Sequence, residues 1–459
     1  MAEGGPKGSP FFLGTCRRAG ETKLMPREKK LYWDKSIETL KPGELEKLQL
    51  ARLRDTLARA ARSPFYAPRL KEAGLAPGGL NSLADLGRVP FTTKDELRAQ
   101  GLKMLTLPLT EMVRLHASSG TTGQATVIYY TRKDIATWAD LVARSMYMAG
   151  MRPHDVFQNM MGYGLFTGGL GFHYGAERLG ALTIPAGAGN SARQIQLMQQ
   201  FGSTAVHIIP SYALYLLNTF AQSGLDPRDL PLRLAFIGAE PHSEDMRRRI
   251  EDAYGVKAYN SYGLSEMNGP GVAFECPEQN GMHVWEDSYL LEVVNPQTLE
   301  PVEPGQLGEL VFTNLTREGM PLLRYRTRDL ASFEAGPCAC GRSFRRLSRI
   351  QGRSDDMLIV KGVNIFPLQV EKVLMAMPEV GSQYLVELTR ENFNDVMHVK
   401  VEVQPEFFRE DLKYLKQLQK RITEALKSEL LVTPRVDLVE PNTLPRSEGK
   451  AQRVVDQRN

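Results

Sequence analysis

Residues 233–266 read RLAFIGAEPHSEDMRRRIEDAYGVKAYNSYGLSE, and this stretch decides the fold. Arg233-Leu234-Ala235-Phe236-Ile237-Gly238 is an apolar run of strand length that stops at a glycine. The spacing then predicts a helix from Ser243 to Tyr254, and Val256 to Tyr259 starts another strand. Strand, helix and strand in so short a span form the unit of a parallel sheet, because the chain must cross back before pairing again. The same texture extends toward the N-terminus. Ala205 to Pro210 and Leu179 to Pro185 are short apolar strand candidates with helices between them. Val127-Ile128-Tyr129-Tyr130 is another, and Thr131 followed by Asp134 opens a helix. Still earlier, Leu45 to Ala61 has amphipathic periodicity, and Thr92 or Thr93 is placed to cap the helix that follows.

Beyond residue 288 the pattern becomes strand-rich, with Tyr289 to Val294 and Gly308 to Thr313 set between Pro/Gly turns. A smaller α+β unit begins near Arg353. It has strand candidates at 357–360, 384–388 and 397–403 and helices near 367–377 and 411–426. The expected fold class is α/β: a large N-terminal domain of several subdomains over 28–352, then a small, mobile α+β domain over 353–459. Residues 1–27 read as a flexible arm, Gly- and Pro-rich in its first twenty positions.

The 459 residues carry 57 basic and 53 acidic side chains, a net charge of +4. That balance does not suggest a nucleic-acid coat, yet it does not repel an anionic substrate. No apolar run reaches membrane-spanning length, and no hydrophobic segment follows the basic N-terminus, so the expectation is a cytoplasmic protein with no membrane partner. Four cysteines are too few for a disulfide scaffold at this length.

Ser118-Ser119-Gly120-Thr121-Thr122-Gly123 can wrap backbone N–H groups and hydroxyls around an anion. It is not a Walker A loop, because Gln124 follows Gly123 where that motif needs Lys. Taken alone, a surface turn is the other reading. Gly238-Ala239-Glu240-Pro241 lies just past a strand end, where an open α/β sheet presents ligand loops. Cys276, His283, Cys338 and Cys340 offer three thiols and an imidazole, a tetrahedral zinc set. Reduced cysteines beside an ordinary histidine are the alternative there, and Cys16 has no part in the set.

Several ordered motifs carry a resemblance: HASSGTTGQATVIYYT (116–131), MGYGLF (161–166), GAEP (238–241), YNSYGLSEMNGPGVAFEC (259–276), LRYRTRDL (323–330), GRSDDMLIVKGVNIFP (352–367) and PRSEGKAQRV (445–454). Together they resemble the acyl-adenylate-forming ligases, and among them the phenylacetate–CoA ligases, over roughly residues 28–456. The resemblance implies an adenylate-forming large domain and a small domain that rotates between two half-reactions. A carboxylate first attacks the α-phosphate of ATP; coenzyme A then displaces AMP. In this reading Lys450 is the adenylation lysine and Glu266 is both a catalytic residue and the Mg²⁺ ligand. The loop Ser118 to Gly123 holds ATP phosphates. Gly238, Ala239, Glu240 and Pro241 line the adenine side, and Tyr262, beside Gly263, stacks on the base. Asp329 accepts the ribose hydroxyls, Arg353 contacts the nucleotide and Asp355 is the hinge. Arg326 and Arg328 stand close enough in sequence to make Asp329 an ion-pair member instead. Gln124 departs from the family's usual lysine, which puts the pyrophosphate contact in question.

An aryl acid needs an apolar pocket with aromatic walls, for which Tyr163, Phe166 and Pro210 are candidates, with Gly168, Gly169 and Gly171 leaving room. No cation stands out for a remote charge, which favours phenylacetate or benzoate over a dicarboxylate. The expected partners are a small aromatic carboxylic acid, ATP and CoA, with Mg²⁺ as metal, a structural Zn²⁺ if the cysteine set binds one, and a homodimer by resemblance. A benzoate or other aryl-acid ligase, transfer to a non-CoA acceptor, and a non-catalytic nucleotide-binding protein are the competing functions.

Overall fold

The computed structural model describes residues 31–75, 79–118, 125–391, 394–408, 411–445 and 452–458. The arm 1–27 with Cys16, the loop residues Ser119, Gly120, Thr121, Thr122, Gly123 and Gln124 that the sequence reading assigns to phosphate, and Lys450 lie outside these described residues. The described helices are α1 (Lys35–Glu38), α2 (Pro42–Ala60), α3 (Tyr66–Glu72), α4 (Lys94–Gln100), α5 (Arg132–Met148), α6 (Thr167–Leu179), α7 (Ser191–Phe201), α8 (Pro210–Gln222), α9 (Glu244–Tyr254), α10 (Pro367–Met375) and α11 (Leu412–Leu430). Their starts follow capping chemistry. Thr93, Thr131 and Ser243 each accept a backbone N–H from the first turn of α4, α5 and α9.

The central sheet has eight strands in the order β13 (Arg346–Leu347), β9 (Met282–Val284), β8 (Gly269–Glu275), β7 (Lys257–Leu264), β6 (Leu234–Gly238), β5 (Ala205–Ile208), β3 (Val156–Asn159) and β4 (Leu182–Ile184). The β4, β3, β5, β6 and β7 part is parallel, as the alternating pattern predicts. From β7 through β8 and β9 to β13 the pairing turns antiparallel. The 179–185 strand is shorter than expected. Leu179 closes α6 and Gly180 takes a left-handed φ of 93°, so pairing begins only at Leu182.

β10 (Tyr289–Val294), β11 (Gly308–Asn314), β12 (Tyr325–Ala331) and β14 (Gly352–Arg353) make a four-stranded antiparallel sheet. The strands β1 (Arg114–Ser118) and β2 (Thr126–Tyr130), on either side of 119–124 in sequence, pair as an antiparallel hairpin. C-terminally, β15 (Leu358–Val360) pairs with β16 (Val363–Ile365). The last sheet runs β19 (Arg435–Val439), β18 (Asn394–Val403), β17 (Val380–Glu391) and β20 (Val454–Asp456). One buried core gathers Trp138, Phe172, Phe236 and Trp285. A second is continuous from Met246, Ile250 and Tyr254 of α9 into Val370 and Leu374 of α10 and Leu418 of α11.

The glycines read as room for a ligand have a different use at two positions. A Cβ on Gly169 would lie 2.4 Å from the Gly162 carbonyl oxygen, and one on Gly171 would lie 2.5 Å from Trp138 and 2.6 Å from Pro270. Their smallness lets α6 pack close on its neighbours. Gly171→Ala is therefore expected to cost about 1–3 kcal/mol by overpacking, seen as a thermal midpoint lowered by a few degrees; an unchanged midpoint would contradict the packing argument.

Candidate active site

The turn after β7 is built for precision. Ser265 and Glu266 sit where the strand stops, and the buried Arg317 donates to the Glu266 carbonyl (2.9 Å) and to the Tyr129 carbonyl (3.1 Å). The same guanidinium lies 4.5 Å over the Tyr130 ring, whose hydroxyl donates to the Ser265 carbonyl at 3.1 Å. Arg317 thereby locks the turn to β2, the strand leaving the phosphate-loop segment. Glu266 is only 4% exposed. Its Oε1 accepts from Tyr325 Oη at 3.1 Å and lies 3.7 Å from Lys94 Nζ at the start of α4. Lys94, Tyr325 and Arg317 are absent from the sequence-derived site. Lys94 had a legible signal, in Thr92-Thr93-Lys94; Arg317 had none, since nothing local ties it to a turn 51 positions away.

Asp329, on β12, accepts from Tyr262 Oη at 2.6 Å and from Arg353 Nη1 at 3.3 Å. Burial pushes its carboxyl up to about 6, against the opposing pull of Arg353. Tyr262 is itself buried, with its ring 6.2 Å from that of Phe312, and burial raises its phenol well above the usual range, with Asp329 adding to the effect. Neither arginine flanking Asp329 in sequence is its partner. Arg326 pairs with Glu309 at 2.7 Å, and Arg328 lies 3.9 Å from Asp355. The partner is Arg353, brought alongside because β14 pairs with β12 at that register. Arg353 also grips Asp355 with two bonds, 2.8 and 3.0 Å, and lies 3.6 Å from Asp356. That fork holds the Asp355 carboxyl below its ordinary range despite burial.

At the end of β6, a Cβ on Gly238 would fall 2.4 Å from the Ser261 carbonyl oxygen, so only glycine fits there. Ala239 takes a φ of +69°, a conformation that costs a residue with a Cβ about 1–3 kcal/mol and often marks a ligand loop. Glu240 Oε1 accepts the Ser211 backbone N–H at 2.7 Å, so the loop ending in Pro241 meets the start of α8 beside Pro210.

Tyr163 and Phe166 share one loop. Leu165 O accepts from Ala117 N at 3.0 Å and faces His116 Nδ1 at 3.0 Å, which ties that loop to β1. Thr167 Oγ1 lies 3.2 Å from Ser265 Oγ, linking it also to the Glu266 turn. Tyr163 Oη accepts from Asn159 Nδ2 (3.0 Å) and lies 3.3 Å from His173 Nδ1, whose other nitrogen faces Glu177 at 3.1 Å. The phenol's polar end is thus engaged by protein, and the ring is the part left to present. Asn159 also donates to Gly169 O (2.7 Å) and accepts from His207 Nδ1 (3.2 Å); burial lowers that imidazole to about 3, keeping it neutral. Phe166 is 54% exposed and Pro210 buried. Ser118 Oγ, at the mouth of the phosphate-loop segment, is buried without a hydrogen-bond partner among the described residues.

Away from these loops, Cys276, His283, Cys338 and Cys340 converge, with ligand atoms all within 4.8 Å of one another. Cys276 Sγ lies 3.6 Å from Cys338 Sγ, and Cys340 Sγ 3.2 Å from His283 Nε2. Two thiolates on one tetrahedral zinc lie about 3.8 Å apart, given Zn–S bonds of about 2.3 Å. His283 Nδ1 donates to the Phe344 carbonyl at 2.9 Å, which leaves Nε2 as the lone-pair nitrogen facing the thiols.

Comparison with known proteins bears on this arrangement. The AMP-binding enzyme family matches residues 84–315, and the AMP-binding enzyme C-terminal domain matches 362–458. A phenylacetate-coenzyme A ligase of Thermus thermophilus is 45% identical over 93% of this chain and 100% of its own. One of Pseudomonas putida is 44% identical over 92% and 96%. Among solved structures, a 2-hydroxyisobutyryl-CoA ligase in its postadenylation state superposes with a TM-score of 0.89 at 31% identity, covering 96% of this chain and 95% of that one. In the thioesterification state, with CoA, the same ligase gives 0.70 at 32% identity over the same shares. The chain belongs to the AMP-binding, acyl-adenylate-forming enzyme family, in its phenylacetate–CoA ligase branch.

Proposed function

We propose that this chain is an AMP-forming phenylacetate–CoA ligase, converting phenylacetate, ATP and CoA to phenylacetyl-CoA, AMP and diphosphate through an acyl-adenylate. One observation carries the reading: the Asp329 carboxylate, largely enclosed between Tyr262 and Arg353, stays ionised at neutral pH although burial lifts it to about 6. Burying a charge is costly, and two acceptor oxygens at a sheet end suit the two hydroxyls of a ribose.

In this mechanism the aryl ring lies against Tyr163 and Phe166, and its carboxylate approaches the α-phosphate. The phosphates take N–H and hydroxyl donors from Ser118 to Gly123. Lys450 offers its ammonium to the oxygen shared by carboxylate and phosphate, stabilising charge that grows only in the transition state. Glu266 would offer a hard carboxylate oxygen to Mg²⁺, whose chemistry there would be to offset negative charge on the phosphates. The small C-terminal domain then turns about Asp355 to present the site to the CoA thiol. The Cys276, His283, Cys338 and Cys340 set holds a structural zinc apart from this chemistry. A homodimer in the cytoplasm completes the reading. Engagement of the Tyr163 hydroxyl by Asn159 and His173 favours an unsubstituted ring over one needing a polar contact there.

A panel of aryl acids with ATP and CoA, read by thioester mass, is expected to give its highest turnover with phenylacetate. A benzoyl thioester as the main product, or no acid-dependent diphosphate release, would overturn the assignment. Lys450→Ala is expected to reduce adenylation by at least about a hundredfold, while thioester formation from supplied acyl-adenylate stays near wild type. Equal loss in both half-reactions would remove Lys450 from this role.

Asp329 gives a pH test with a definite sign. Its folded-state value, about 6, lies above the ordinary aspartate value of 3.8, so its contribution to stability is present at low pH and lost as pH rises from about 4 through 6. Asp329→Asn is accordingly expected to raise the melting temperature at pH 7.5 but not at pH 4.5, while weakening AMP binding at pH 7.5 by about tenfold or more. Wild-type AMP affinity is expected to fall as pH drops below 6. Unaltered AMP affinity in the variant would refute the ribose role. Dialysed protein is expected to keep about one zinc per chain, and Cys338→Ser with Cys340→Ser to lose it; less than roughly 0.2 zinc in folded wild type would dismiss the site.

A further inference from the structure

The contact between α9 and α10 is reciprocal. Glu371, buried in the middle of α10, accepts the backbone N–H of Ser243, the N-cap of α9, at 2.8 Å. From α9, Arg249 reaches the opposite way and donates to the carbonyls of Met377 (2.5 Å) and Val380 (2.9 Å), just beyond the end of α10. The two interactions thus tie each helix to an end of the other, and apolar Met246, Ile250, Val370 and Leu374 belong to the one core that joins them.

Glu371 touches more than a helix end. Ser243 follows Glu240-Pro241 of the strained loop by two residues, and Glu240 is one of the charges acting on Glu371. On its other side Tyr384 Oη, from β17, donates to Glu371 Oε2 at 3.5 Å. Arg453 lies 4.5 Å over the Tyr384 ring and donates to Gln383 Oε1 (2.9 Å) and Ser382 O (3.1 Å). The groups facing Glu371 are therefore Ser243 and Glu240 from one side and Tyr384 and Arg453 from the other. Burial raises its carboxyl to about 7. A carboxylate kept there is tolerated because a backbone N–H and a guanidinium oppose that cost.

We propose that Glu371 and Arg249 form a two-ended clamp that registers the C-terminal segment on the 238–243 loop for adenylation and opens for thiol transfer. Glu371 is then a positioning residue for the first half-reaction. The pose fits this assignment, since the chain superposes better on its relative's postadenylation state than on the thioesterification state. Glu371 and Arg249 had no place in the sequence-derived site, and the inference rests on the ligase reading.

The test uses the full chain and separates the half-reactions. Phenylacetate-dependent ATP–diphosphate exchange reports the first; CoA thioester formation from supplied phenylacetyl-adenylate reports the second. Glu371→Ala is expected to lower exchange at least about tenfold and to change thioester formation by no more than about twofold. Glu371→Gln keeps a carbonyl acceptor for Ser243 N–H and is expected to recover exchange to within about threefold of wild type. Arg249→Ala, at the other end, is expected to reproduce the selective loss and serves if Glu371→Ala does not fold. Equal loss in both half-reactions, or undiminished exchange in a variant whose wild type exchanges normally, would overturn the clamp. Wild type without acid-dependent exchange would overturn the ligase reading, and the clamp with it.

Discussion

A carboxylate buried beside a phenol and a guanidinium is the constraint on which the rest of the site depends. Asp329 belongs to the four-stranded sheet, Tyr262 to the eight-stranded one, and Arg353 to the short strand that leads toward the C-terminal segment. Their meeting fixes how the two sheets abut and where the chain leaves them. Arg353 then passes the constraint on by gripping Asp355, so the position at which a hinge is expected is tied to Asp329 by one forked side chain. Removing Arg353 would leave the Asp329 charge enclosed without its cation, whereas Arg353 itself keeps Asp355 if Asp329 is neutralised.

The second organising element is Arg317. It is a long cation almost wholly buried, and it spends its donors on backbone carbonyls rather than on an acid. That choice makes it a strut. It holds the Glu266 turn against β2, so that turn and the β1–β2 hairpin cannot drift apart.

Much of this was legible in the sequence, for identifiable reasons. Strand and helix alternation across 205–259 carries the parallel core because periodicity and capping are local properties. Thr93, Thr131 and Ser243 act as caps for the same reason. Asp329 and Arg353 pair across β12 and β14, while Glu266 occupies the turn after β7. What escaped was non-local. Neither Lys94 with Glu266 nor Glu371 with Ser243 has a spacing that sequence could report, because each pair is made by packing of distant segments. The glycines at 169 and 171 serve packing instead, against the Gly162 carbonyl and against Trp138 and Pro270, because a small residue gives the same signal whether it makes room for a ligand or for a neighbouring segment. Likewise Arg326 and Arg328 looked nearest to Asp329 by number, yet strand register gave the place to Arg353.

The two borders of the eight-stranded sheet have a consequence for behaviour in concentrated solution. One ends at β13, a strand of only two residues, and the other at β4, of three. A sheet edge is a template for another chain's backbone, and its danger grows with the length of unpaired amides on offer. These edges offer very little. The cysteine and histidine cluster sits beside the shorter one, since His283 pairs directly with Arg346 across β9 and β13. Leu347 of that short strand is also bridged by Phe333, so little of this border is left for a neighbouring molecule to pair with.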